Sequence, residues 1–181
     1  MKRYRLLKDL PYIEAGAVFV RKTMEDSVEI IALESPDDER PGLIVDKIID
    51  FDEWFVEIEI YFYITAYNVV CWDTIGANEE LEDNRKAVGN YFKTREQAEK
   101  CLEYLKAKAI IKQDTNGYKP NWNDINKTKY HGQWDYKYDC PRCAVDWTLR
   151  DNTICFETRE EAEESFKKHP EEWKTYLTYE Q

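Results

Sequence analysis

The sequence predicts an α+β protein: a small N-terminal β-rich module, then two related antiparallel units of strand, strand, short strand and helix. Three observations carry this. Residues 16–22 (GAVFVRK) and 27–33 (SVEIIAL) are rich in β-branched residues and flank a polar TMED, the pattern of a hairpin. The stretch YFKTREQAEK, 91–100, returns sixty-four positions later as CFETREEAEE, 155–164, with six of ten residues identical. Each copy is preceded by two strand-like, aromatic segments.

In chain order, the hairpin belongs to a module over 1–58. SPDDERPG, 35–42, is loop chemistry, with two prolines, a glycine and a charge cluster. GLIVDKIIDF is short and apolar, and its period alone does not separate strand from helix. DFDEWFVEI, 50–58, reads as a turn and a half of helix carrying Trp54, Phe55 and Ile58. The first repeated unit, 59–112, opens with alternating Ile58, Ile60, Phe62 and Ile64 and a return strand from Val69 to Trp72, turning near Tyr67 and Asn68. GANEELEDNRKAVGN, 76–90, allows a short helix. Thr94 with Gln97, and Thr158 with Glu161, then form capping boxes, in which the threonine hydroxyl accepts from the first turn and the Gln or Glu reaches back to the cap. Glu96 and Glu160 suit the positive end of each helix dipole. The first helix is expected over 95–112 with Ala98, Cys101, Leu102, Leu105 and Ala109 as its apolar stripe. A linker of turn residues spans 113–128. The second unit, 129–181, has strands over 129–139 and 143–150, then a helix with Ala162 and Phe166 facing inward, a stop at Pro170, and a last turn carrying Trp173 and Leu177.

The 181 residues bury a core without staples. The aromatic fraction of 14% argues for a folded chain despite 35% charged residues. No run approaches a membrane span, and the basic start MKRYRLLKDL lacks the apolar region of a signal peptide, so the expected location is the bacterial cytoplasm. Five cysteines, an odd number, fit reduced thiols. Charge is uneven: residues 34–83 hold fifteen acidic and two basic side chains, a net of −13, whereas 84–133 hold eleven basic and five acidic ones, a net of +6. That block is either a solvated surface or an acidic face that meets a basic partner.

GNYFKTREQAEKCLEYLKAKAIIK, YKPNWNDINKTKY, and the later CFETREEAEE with WKTYL resemble a family of small phage and prophage proteins of Gram-positive bacteria. Its members carry an IGNYFKTREEAE helix start, a W…D…KYY link and a terminal strand plus helix. YRLLKDLPYIEAGAVF and DFDEWFVEI resemble a second module of the same proteins, so the similarity covers most of the chain. The resembling motifs are caps, turns and core aromatics. They imply a mobile-element origin rather than an activity. The acidic block and the CPRC motif depart from the family's pattern.

Chemistry-bearing motifs are few. Cys140 and Cys143 of CPRC, with Cys155 and His131, can be drawn as a Cys3His structural zinc site, but the spacing matches no standard finger. The competing readings are a plain turn with free thiols, Cys155 packing as a small hydrophobe, and redox work. Otherwise no cofactor is expected. No P-loop, GxGxxG or nucleophile elbow occurs. His169, before Pro170, reads as a cap. Direct nucleic-acid binding is disfavoured by a pI near 4.8. The leading expectation is therefore an anti-CRISPR-like inhibitor. Its partner would be a host nuclease or that nuclease's nucleic-acid complex, met through Asp37, Asp38, Glu39, Asp50, Asp52, Glu53, Glu57 and Glu59. The alternatives are a small phage enzyme with a carboxylate–metal centre in the same block, or a structural, accessory phage protein.

Overall fold

The computed structural model describes residues 2–11, 13–23, 29–33, 43–44, 48, 50–147 and 153–179. The fold is α+β with an N-terminal sheet, as the sequence predicts. The chain forms two units, Met1–Tyr63 with Cys71–Lys93, and Ile64–Val70 with Thr94–Gln181.

In the first unit, β1 (Arg3–Leu6), β2 (Val18–Thr23), β3 (Glu29–Leu33), β4 (Leu43–Ile44) and β5 (Phe55–Ile58) make a sheet of order β4-β3-β2-β1-β5. The expected hairpin is β2–β3, with Phe19 opposite Leu33 and Thr23 opposite Glu29. Alternation on β1 turns Tyr4 and Leu6 into the core, and Leu6 pairs with Phe55 of β5. The helical reading of DFDEWFVEI holds for its first half only. The helix α1 (Phe51–Trp54) is one turn, and Phe55 is already extended because it fills the core as a strand residue. Phe51 stacks on Phe55 at 4.9 Å and meets Tyr4 edge-on at 5.1 Å.

The strands β6 (Ile60–Ile64) and β7 (Val70–Thr74) form the second predicted hairpin, with Asn68 in the left-handed region at φ 59° and Thr65 Oγ1 accepting from the amides of Tyr67 and Val69. The short helix α2 (Glu79–Ala87) is capped by Asn78, whose side chain accepts from Leu81 N. Arg85 anchors it: the guanidinium donates to Tyr61 Oη and to Asp73 Oδ2 (3.2 Å) and lies 3.4 Å from the Tyr63 ring centroid. Glu82, buried, accepts from Gly76 N at 2.9 Å and pairs with Lys86 at 2.7 Å. These two contacts hold its carboxyl below the usual carboxylate range.

The second unit contains α3 (Arg95–Asp114), β8 (Lys129–Asp135), β9 (Cys140–Asp146), β10 (Cys155–Phe156), α4 (Arg159–Lys168) and α5 (Pro170–Thr178), with sheet order β10-β8-β9. Both capping boxes form: Gln97 N donates to Thr94 Oγ1 and Glu161 N to Thr158 Oγ1, each at 3.2 Å, and each return bond is made. The repeat also extends to strand pairing. Phe92 bridges to Phe62 of the β6–β7 hairpin, and Phe156 pairs with Tyr130 of the β8–β9 hairpin.

The stripe on α3 differs from the expected one. Ala98 and Leu102 are buried, but Leu105 and Ala109 are exposed, and Ala107 and Ile111 are buried instead. At 3.6 residues per turn these two pairs lie half a circumference apart, so the helix buries opposite faces at its two ends. In its second half, Tyr104 stacks on Tyr176 and Tyr179 of the C-terminal segment.

Trp173 is the centre of this unit's core, fully buried against Phe166 (4.8 Å, edge-on) and Phe156. Its ring lies over Gly132 of β8. A Cβ there would come within 2.8 Å of Trp173 Cε3 and closer still to Cζ3. Gly132→Ala is therefore expected to lower stability by about 3 kcal/mol through overpacking, read by urea unfolding. Trp173→Leu in the Gly132→Ala background should recover part of that loss, whereas independent sites would simply add.

Candidate functional site

The acidic surface divides on inspection. Asp37, Asp38 and Glu39 lie outside the described residues. Asp50, Asp52 and Glu53 sit at the start of α1, all exposed, and Asp50 holds its N-terminal position at φ 55°. Glu57 is exposed on β5, an edge strand, and Glu59 follows it. Lys8 pairs with Glu53 at 2.9 Å and Lys2 with Glu57 at 2.8 Å. Glu57 and Glu59 share a groove of about 450 Å³ with Lys2, Arg3 and Lys93, which counters their charge locally. Asp50, Asp52 and Glu59 have no ion pair among the described residues. Exposed pairs such as Lys8–Glu53 contribute about 0–1 kcal/mol, so an incoming cation can replace the lysine at little cost. The first turn of α2 adds exposed Glu79 and Glu80, with Asp83 one turn on. These belong to the −13 block, but reading by sequence adjacency left them out of the site.

The four candidate zinc ligands do not converge. CPRC is not a turn: the turn is 136–139, and all four residues of the motif lie on β9. Residues three apart on a strand point to opposite faces. Cys143 packs with the Trp173 cluster on the helix side, across from Gly132, while Cys140 points the other way. His131 and Cys155 face each other as partners across β8 and β10, on Cys140's side of the sheet. Cys140, however, is paired four residues along β8 from His131, about 13 Å away at 3.3 Å per residue. Among the described residues, no three His, Cys, Asp or Glu side chains are grouped to hold a metal ion.

His131 instead has Asp146, with Nε2 2.9 Å from Oδ2, and its Nδ1 lies 3.0 Å from Gly132 O. Cys155 is 4% exposed. Burial, helped by the Asp146 charge and opposed by Lys129, pushes its thiol up to about 11. That is the opposite of an activated nucleophile. Lys129 is also consumed internally: its ammonium donates to Asp124 O and lies over the Trp122 ring. Lys127 pairs with Glu157. Two basic residues of YKPNWNDINKTKY thus serve the fold.

A second polar network was not foreseen. Asp114, at the end of α3, accepts from Ser165 Oγ (2.8 Å) and Lys168 Nζ (2.8 Å) of α4, and His169 Nε2 lies 3.4 Å away. Ser165 in turn accepts from Trp173 Nε1 at 3.0 Å. His169 makes no side-chain cap on α5. These residues border a cavity of about 440 Å³. The trio is Ser, Asp and His, but the order is that of a clamp. In an acyl-transfer relay the imidazole bridges hydroxyl and carboxylate. Here the carboxylate is the bridge, and Ser165, 2% exposed, spends both hydroxyl functions on Asp114 and Trp173. Burial raises the Asp114 carboxyl, but the bonds from Lys168 and Ser165, with the charges of Lys168 and His169, outweigh it and hold it below its ordinary 3.8. Among the described residues, no helix is long and apolar enough to cross a membrane.

Two outcomes follow from this geometry. Asp114→Asn should lower stability at pH 7 by about 2 kcal/mol, since it weakens charge-assisted bonds to Lys168 and Ser165. A carboxyl depressed in the folded state stabilises above its unfolded value and loses that effect as pH falls through its folded value. The gap between wild type and Asp114→Asn, followed by thermal melts across pH, should thus persist down to about pH 4 and close only below it. Second, the described thiols and His131 predict no shared metal, so adding a chelator should leave the melting temperature unchanged. Stoichiometric zinc bound to the purified chain would contradict that.

Comparison with protein-family models, with curated proteins and with solved structures finds no match.

Proposed function

We propose that this chain is a phage- or prophage-encoded inhibitor that binds a host defence factor through its acidic surface. The partner class is a nucleic-acid-handling nuclease such as an RNA-guided effector, whose channels are basic. The observation that carries the reading is the exposed cluster of Asp50, Asp52 and Glu53 at the start of α1, whose one ion pair among the described residues is the solvent-exposed Lys8–Glu53. The resemblance to phage proteins supports the choice of a host factor, and the −13 balance over 34–83 supports a basic counterpart. Mechanistically, α1 is a single turn seated on the Phe51–Phe55–Tyr4 stack, so its carboxylates are presented on a fixed base. A basic groove meeting them gains rate and specificity from complementary potential. Occupying a channel that must hold phosphates excludes nucleic acid without any reaction on the inhibitor.

The test is DNA cleavage by an RNA-guided nuclease from the same host range, titrated with this protein at low and high salt. Inhibition should weaken as salt rises. Asp52→Lys with Glu53→Lys should raise the half-inhibitory concentration at least about tenfold, equivalent to about 1.4 kcal/mol, with no change in melting temperature. The reading is lost if neither inhibition nor a salt-sensitive complex with a nuclease is found. An unaltered phage phenotype after neutralising the same acids would favour the accessory-protein alternative.

A further inference from the structure

We propose that the outer edge of β9 is a docking site for an extended, acidic peptide segment, which adds as a fourth strand in the groove between β9 and α4. This site lies in the second unit and does not depend on the acidic surface of the first.

The sheet order β10-β8-β9 leaves β9 on one border, and among the described residues no strand pairs with its outer side. Pro141 shows how that side is built. Proline has no N–H, so a ladder that keeps its bonds places it where the backbone faces away from the neighbour. Position 141 is thus a non-bonded pair with Trp134 of β8. By alternation Cys143 and Val145 also turn their N–H and C=O outward, two donor–acceptor sets spaced for a partner strand. The strand is seven residues long, enough to pair a segment of similar length.

Alongside this edge runs a groove of about 560 Å³. Its apolar lining is Pro141, Cys143, Phe166 and Pro170, and its charged side chains are Arg159 and Lys167 against a single carboxylate, Glu163, while alternation turns the side chain of bordering Arg142 to the other face, onto Asp135. Arg142 pairs with Asp135 at 2.8 Å and Arg159 with Glu163 at 3.7 Å, both arginines largely exposed. Lys167 has no ion pair among the described residues. A cation-rich groove on a chain of net charge −11 selects an acidic occupant. The same net charge opposes a second copy of this chain. Main-chain bonds to an exposed edge supply affinity, and alternate side chains in a flanking groove supply specificity, the usual division in strand addition.

The experiment uses the full chain and two fluorescein-labelled peptides of about eight residues, one alternating Glu and Val, the other with Lys for each Glu. Fluorescence anisotropy should show saturable binding of the Glu peptide and at least about tenfold weaker binding of the Lys peptide. Amide hydrogen exchange should slow at Cys143 and Val145 when the Glu peptide is bound. Val145→Pro removes one outward N–H as Pro141 already does and should abolish binding. Arg159→Glu with Lys167→Glu should invert the preference between the peptides. If Val145→Pro melts early, the charge-reversed variant and the exchange protection decide. Equal binding of both peptides, no binding at about 1 mM, or undiminished binding by a folded Val145→Pro variant overturns the proposal. So does sedimentation that shows a dimer of this chain dispersed by Val145→Pro, which would make a second copy the occupant.

Discussion

The second unit depends on one contact, the indole of Trp173 lying over the missing side chain of Gly132. Because β8 carries no Cβ there, the last helix approaches the sheet closely enough for Trp173 to be fully buried and still reach Ser165 with its N–H. Ser165 passes its own proton toward Asp114, which also gathers Lys168. A single ring thereby ties β8, α4, α5 and the end of α3 together. A buried indole without an acceptor would carry an unmet donor, and a largely enclosed carboxylate without cations would be costly too, so each member of the chain makes the next tolerable.

This arrangement explains what the repeated sequence is for. Thr94–Gln97 and Thr158–Glu161 start two helices at defined positions, and the phenylalanine before each pairs back to its own hairpin. The helices then diverge in use: α3 runs twenty residues and buries opposite faces at its two ends, while α4 stops at Lys168 so that Pro170 can begin the helix carrying Trp173. Local chemistry is shared, and tertiary environment is not.

The same distinction separates what the sequence made legible from what it did not. Capping boxes, the β2–β3 and β6–β7 hairpins and the stop at Pro170 depend on residues a few positions apart, and they are read correctly, whereas the β8–β9 hairpin turns at 136–139 and not at the expected 140–142. The helical reading of 50–58 fails after Trp54 because Phe55 is recruited by Leu6, forty-nine positions away. CPRC reads as a turn from its proline, yet an edge strand accepts proline wherever no ladder bond is lost. The Ser165–Asp114 bond spans fifty-one positions and involves no motif. Of the acidic site, Asp50, Asp52 and Glu53 are exposed, and the lysines beside Glu53 and Glu57 flank β1, which no reading of adjacent residues supplies.

In functional terms the second unit uses several polar groups within its fold, and the first leaves charge at the surface. His131, Lys129, Ser165 and Asp114 are engaged inside the second unit, while α1 and the start of α2 hold exposed carboxylates in the first. Under the proposed function, these carboxylates are where a host protein is met. The most direct measurement is amide hydrogen exchange by mass spectrometry on this chain alone and saturated with an RNA-guided host nuclease. The account predicts slowed exchange over residues 50–59, with the buried core over 129–135 unchanged. Slowed exchange confined to the second unit, or none anywhere, would contradict it.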